Sequence, residues 1–325
     1  MMTELSAGDF KLLEPIVGRV DALTEVSGGL FNRVMRGESE RGIFYLKQLT
    51  DSARSGSFPP LPTTRAQRYA VAVAWHEHAI ACSAGHSITV PALLAASADD
   101  SLIVMAEVRG HPLYENLVTH PAKASSIESH LVKIVTWLGR FHEQSMPQRD
   151  KMHAASHAFK RYKVRLQYED LFPLLSSPLM DGAHAFVAAY MQASSDVVHG
   201  DLNSRNILVE GDTVAIIDFE QGHLGDGIYD LAYILSEYVI FSHAHSHSFA
   251  EMETFINAMW QEYVKVRPQG EAQAEERRFQ AHLGFQTLYR LVGPSRAVWS
   301  GHLDDSVKHD LNGWAMDRLS KCLPA

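Results

Sequence analysis

Within residues 197–221, VVHGDLNSRNILVEGDTVAIIDFEQ, the carboxylates Asp201 and Asp218 and the carboxamide Asn206 fall between short apolar runs. Oxygen donors of this kind suit Mg²⁺, a hard cation that keeps several coordination places for water and phosphate. A further carboxylate at the edge of such a site can accept a hydroxyl proton while a phosphoryl group is transferred. The bland reading is that Asp and Asn at hairpin ends satisfy backbone donors, and for any one of the three residues alone it would suffice.

The flanking sequence supplies the elements that would hold these groups. The runs NILV and VAIIDF flank EGD, which predicts a hairpin with Asn206 entering the first strand and Asp218 closing the second. Asp201 lies in the turn after VVHG, where Gly200 can take a backbone shape that a larger residue resists.

HGDLNSRNIL followed by IIDFE resembles the catalytic and metal-binding loops of the aminoglycoside phosphotransferase and choline kinase superfamily, the small-molecule relatives of protein kinases. The resemblance implies ATP as phosphate donor, Asp201 as catalytic base, Asn206 and Asp218 as Mg²⁺ ligands and His199 as a brace of the loop. It also implies a bilobal, protein-kinase-like α+β fold with a small β-rich lobe and a larger helical one. In GIFYLKQL, Lys47 is the expected contact to the nucleotide phosphates, held by Glu77 on the helix RYAVAVAWHEHAIACSAG. The alternatives for this pair are an edge-strand lysine and a solvated glutamate. SGGLFNRV resembles the glycine-containing turn over the phosphates, with Ser27, Gly28 and Gly29 as contacts and Asn32 as a further donor. In LIVMAEVRGHPL, which looks like the link between lobes, the backbone of Glu107 and Val108 is expected at the adenine edge. Asp230 in GDGIYDLA is expected to cap a helix start and support the catalytic loop.

The departures narrow the class. Protein kinases place a lysine two residues after the catalytic aspartate, where this chain has Asn203, and follow the metal aspartate with a long activation segment that is missing between Asp218 and Asp230. A peptide acceptor is therefore disfavoured. The rival readings are a protein kinase and a catalytically silent nucleotide-binding scaffold. The acceptor stays open among aminoglycoside-, amino-alcohol- and sugar-like hydroxyl compounds, as does ATP against GTP. Glu237, Glu251 and Asp304 are candidates to recognise an amine, although helix carboxylates usually face water. The alternating His243, His245 and His247 suggest a solvated loop rather than a metal site, since no Cys or paired carboxylate accompanies them.

Composition agrees with a globular protein. The 325 residues are 46% hydrophobic and 21% charged, enough for one large unit or two joined lobes with a substantial core. A net charge of −9 argues against nucleic-acid or anionic-membrane partners and suits a small, even cationic, acceptor. Two distant cysteines, Cys82 and Cys322, suggest neither a disulfide framework nor a zinc site. With no signal-peptide pattern and no long apolar run, the expected location is the cytoplasm. The change from short β-like runs to long helical patterns predicts a nucleotide-binding lobe over 1–106 and a catalytic, substrate-binding lobe over 107–325.

Overall fold

Alternating apolar positions fold the first third of the chain into an antiparallel sheet. The computed structural model describes residues 13–26, 32–50, 59–119, 124–144, 146, 152–267 and 272–323. Strands β1 (Val20–Glu25), β2 (Asn32–Ser39) and β3 (Gly42–Leu49) are followed by helix α1 (Arg65–Ser83) and strands β4 (Ile88–Thr89), β5 (Leu93–Ser97) and β6 (Leu102–Ala106). Five of these strands form a sheet in the order β1-β2-β3-β6-β5. On β3, Phe44 and Leu46 face a cluster with Leu13, Val17, Met35, Leu102 and Val104. The period-two alternation of a strand turns Lys47 to the opposite face. Thr64 and Gln67 close a capping box at the start of α1, and Gly85, at φ +76°, follows its end.

The rest is mainly helical: β7 (His111–Pro112), α2 (Leu113–Thr119), α3 (Ala124–Glu143), α4 (His153–Gln167), α5 (Ser177–Gln192), β8 (Asp196–Val198), β9 (Ile207–Glu210), β10 (Thr213–Ile216), β11 (His223–Gly225), α6 (Ile228–Ala244), α7 (Phe249–Val266), α8 (Ala272–Val292), α9 (Arg296–Trp299) and α10 (Asp305–Cys322). On α3 the expected stripe of Ile127, Leu131, Ile134, Leu138 and Phe141 is buried. Helix α6 is buried on every side from Ile228 to Ser242, which makes it the axis around which the other helices gather.

Two small sheets carry the chemistry-bearing segment. β9 and β10 form the expected hairpin, with Thr213 opposite Glu210 and Ile216 opposite Ile207. They belong to a four-stranded sheet, β4-β10-β9-β7, in which β4 pairs with β10 in parallel, Val214 opposite Ile88. β8 and β11 pair antiparallel. The first third of the chain thus contributes a strand to the sheet that carries Asn206 and Asp218. No helix among the described residues is long and apolar enough to cross a membrane.

Helices α4 and α5 have no clear apolar period in the sequence. The reason is physical: the buried positions of α4 include Lys160, Lys163 and Gln167, while α5 holds Pro178 near its start and Gly182 within it. Polar residues on an inward face erase the pattern by which a helix is read.

Candidate active site

Asp201 begins from a turn that only glycine enters without strain. Gly200 has φ +80°, and a Cβ there would collide with the Gln221 carbonyl. The turn is held from below by Asp230 at the start of α6, whose carboxylate accepts the backbone amides of His199 at 2.6 Å and Gly200 at 3.0 Å. His142 joins the same carboxylate at 3.1 Å, with its other ring nitrogen on the Tyr263 hydroxyl at 2.8 Å. Burial alone would push the Asp230 carboxyl up, but His142, His199 and the amide bonds hold it below the usual range. The buried His199 ring meets the Ile217 carbonyl at 3.2 Å and the Asp201 amide at 3.3 Å, so it ties the loop to the strand that leads to Asp218.

Four donors surround the Asp201 carboxylate. Oδ1 receives the Lys163 ammonium at 3.0 Å and the Tyr233 hydroxyl at 3.3 Å; Oδ2 receives the amides of Asn206 at 3.2 Å and Gln221 at 3.1 Å. Desolvation pushes the carboxyl up, but Lys163, His199 and Tyr233 outweigh it and hold the group below its ordinary value. It is a carboxylate at neutral pH, as a proton acceptor must be.

Asn206 also donates to the Asp201 carbonyl at 2.9 Å, so its amide nitrogen is committed and its carbonyl oxygen faces away from these bonds. Asp218 stands just beyond β10 at φ +69°, a strained setting for a non-glycine residue. Its Oδ1 meets Lys47 Nζ at 2.6 Å, and the carboxylate is about a third exposed. A carboxamide oxygen and a partly exposed carboxylate are the hard donors that Mg²⁺ takes, with the remaining places left to water and phosphate. The residues fit the ion. No group of three or more His, Cys, Asp or Glu side chains able to hold a metal occurs among the described residues, and His243 instead meets Asp310 at 3.6 Å and the His247 carbonyl at 3.4 Å.

Lys47 differs from expectation in its partner. Glu77 is exposed on α1, whereas Lys47 lies between Asp218 and Glu220, the latter at 2.9 Å. The cause is helical phase: the inward positions of α1 include Ala72, Trp75, His76 and Ala79, and Glu77 falls on the outer face. Burial opposes the charge on Lys47, but the two carboxylates raise its affinity for the proton above that of a free lysine. Burial also raises the Glu220 carboxyl, against the pull of Lys47. Asn32 is not free for phosphate either, since its amide donates to Glu220. Ser27, Gly28 and Gly29 lie outside the described residues. Glu107 uses its amide on the Ile43 carbonyl at 3.4 Å, and none of the described hydrogen bonds involves the Val108 backbone.

Two of the carboxylates considered for amine recognition have other uses, and the third, Asp304, is exposed with no capping bond from its side chain. Glu237 is buried, bound to Arg290 at 2.7 Å and to the Ser204 amide at 2.9 Å; Glu251 completes a capping box with Ser248, and Asp304 is the N-cap of α10. Sequence reasoning missed Lys163, Tyr233 and Gln221. Only Tyr233 carries a signal, one helical turn after Asp230 on the same face.

Comparisons with known proteins bear on the family and the fold. The model of the phosphotransferase enzyme family, APH, matches residues 22–277. A search of curated protein sequences finds no match. Among solved structures, the streptomycin–ATP–APH(2")-IIa ternary complex is similar with TM-score 0.53 at 14% identity, covering 97% of each chain. ADP-bound APH(2'')-Ib gives TM-score 0.52 at 13% identity over 99% of this chain and 100% of that one. The aminoglycoside phosphotransferase APH(4)-Ia gives 0.52 at 14% identity, over 96% of each chain. These likenesses show the kinase-like α+β fold, and with the family match over most of its length the chain belongs to the phosphotransferase enzyme family, as a small-molecule kinase.

Proposed function

We propose that the protein moves the γ-phosphate of ATP onto a hydroxyl of a small aminoglycoside-, amino-alcohol- or sugar-like compound. Asp201 is the base, and Asn206 and Asp218 hold Mg²⁺. The observation that supports this reading is the arrangement of the Asn206 amide: both described bonds of its nitrogen go to Asp201, which leaves its oxygen for a cation beside the proposed base. When bound, Mg²⁺ would offset negative charge on the phosphates.

The chain's own groups do the rest. Asp201, ionised and anchored through Asn206 and the Asp230-held loop, orients the acceptor hydroxyl and takes its proton. Lys47 is placed to meet nucleotide phosphates from the face of β3 opposite its apolar cluster, steadied by Asp218 and Glu220. Val108, just past the end of β6, offers its backbone to the adenine edge at the junction between a nucleotide-binding part that we place at 1–106 and an acceptor side that we place at 107–325. The two free cysteines are consistent with a cytoplasmic setting.

A protein acceptor fits poorly, because residues 219–230, where a peptide-docking segment would follow Asp218, are buried throughout. A screen of aminoglycosides, amino alcohols, sugars and nucleosides for stimulated ADP release tests the reading. Release stimulated by one class supports it. Tight ATP binding with no turnover on any compound marks the silent scaffold instead.

A further inference from the structure

Within the catalytic loop itself, no cation is aimed at the reacting groups. Asn203 spends its side chain on the loop, donating to the Asp201 carbonyl at 3.1 Å and accepting from the Arg205 amide at 3.0 Å. Arg205 is exposed, and its charge is felt at Tyr114 on α2. Lys47 is already placed between Asp218 and Glu220. Yet negative charge spreads over the oxygens of a phosphoryl group in flight, and fixed positive groups aimed at it are usually the largest source of rate.

Lys163 is the cation that stands at this place. It arrives from α4, 38 residues before Asp201, with its side chain only 7% exposed, and its ammonium lies 3.0 Å from Asp201 Oδ1. Its other described neighbours include the Tyr233 ring, 5.8 Å away, and His223, which feels its charge. Burying a lysine stem in a helix pattern that it disrupts is costly unless the head has a partner. The partner here is the base. A base with four donors must also release one of them to accept a proton, and of the four only Lys163 is a flexible cation whose ammonium has three donors to share.

We propose that Lys163 bridges the Asp201 carboxylate and the transferring phosphoryl group, supplying from helix α4 the positive charge that position 203 does not. In the step, the acceptor oxygen forms a bond to the γ-phosphorus as the bond to the β,γ-bridging oxygen breaks. The electron pair leaves with ADP, and the acceptor proton passes to Asp201. Lys163 turns from the carboxylate, which loses charge as it is protonated, toward the phosphoryl oxygens. This rests on the phosphotransferase reading above.

The test needs no acceptor. Affinity for MgADP is measured by calorimetry on the full chain with and without aluminium fluoride, which forms a planar mimic of the phosphoryl group. The parent should bind MgADP more tightly when fluoride and aluminium are present. Lys163→Met should keep MgADP affinity and lose about tenfold or more of the added affinity, Lys163→Arg should retain most of it, and Arg205→Met should match the parent. Should Lys163→Met fail to fold, Lys163→Gln, which still donates to Asp201 without charge, makes the same comparison. Equal gains in parent and neutral variants, loss on changing Arg205, or no gain in the parent overturn the proposal. Failure of the parent to bind MgADP at all would instead sink the phosphotransferase reading.

Discussion

Trp75 donates its indole N–H to the Val198 carbonyl at 2.8 Å, joining helix α1 to the strand that leads into the Asp201 turn. The ring is fully buried, and Gly222 lies so close to it that a Cβ there would overlap the indole. Trp75→Phe should remove this bond and cost about 0.5–1.5 kcal/mol of stability. Gly222→Ala should cost at least as much, because the obstacle is a rigid ring. Urea unfolding of both variants measures this. Parental midpoints would show that the contact contributes nothing.

Replacing the base separates chemistry from binding. Asp201→Asn should lower kcat by about 10²–10⁴-fold while MgATP affinity stays within a few-fold. Steady-state ADP release and nucleotide titration give the two numbers. A parental rate would remove Asp201 from the role.

The metal side behaves differently. Asp218→Ala removes one donor to Mg²⁺ and one carboxylate from Lys47, so nucleotide affinity should lose its dependence on Mg²⁺. Titrations with and without the ion check this. An undiminished Mg²⁺ effect would contradict the ligand role.

Glu77 and Glu220 offer a paired comparison. Glu77→Ala, at an exposed site, should leave activity and stability near parental, within about 0.5 kcal/mol. Glu220→Gln takes a charge from a buried group that binds both Lys47 and Asn32. It should weaken ATP binding, read as a rise in KM for ATP. The reverse pattern would restore Glu77 as the partner of Lys47.

Two buried histidines set a pH dependence of stability. Burial, with the charge of Lys160, lowers His223 to about 3, and burial lowers His282 to about 4. Both are neutral in the folded chain at pH 5 but protonated when unfolded, since the free group titrates near 6.5. The unfolded state then binds more protons, so stability falls as pH drops below about 6.5, by about 1.4 kcal/mol per pH unit for each histidine. His282→Gln should flatten the slope between pH 6 and 5 by about one proton. An unchanged slope in denaturant titrations would refute the assignment.

What the sequence made legible follows from how local each signal was. Asp201, Asn206 and Asp218 sit on one hairpin and its approach, so spacing alone brought them together. Helix α3 carried a stripe of apolar positions that marks its extent. The partner of Lys47 was misassigned because it depends on the phase of α1, where one residue of rotation separates inward His76 from outward Glu77. Lys163 was illegible for a different reason. A lysine on an unmarked helix gives no hint that folding will place it against a carboxylate.

The parallel pairing of β4 with β10 bears on how this protein can be dissected. A fragment ending at residue 106 would carry off Ile88 and Thr89 and leave β10 with a bare margin, while Trp75 would depart from its slot. Severed halves would each present sticky, unpaired backbone and are expected to clump or to find one another again rather than to behave as interchangeable modules.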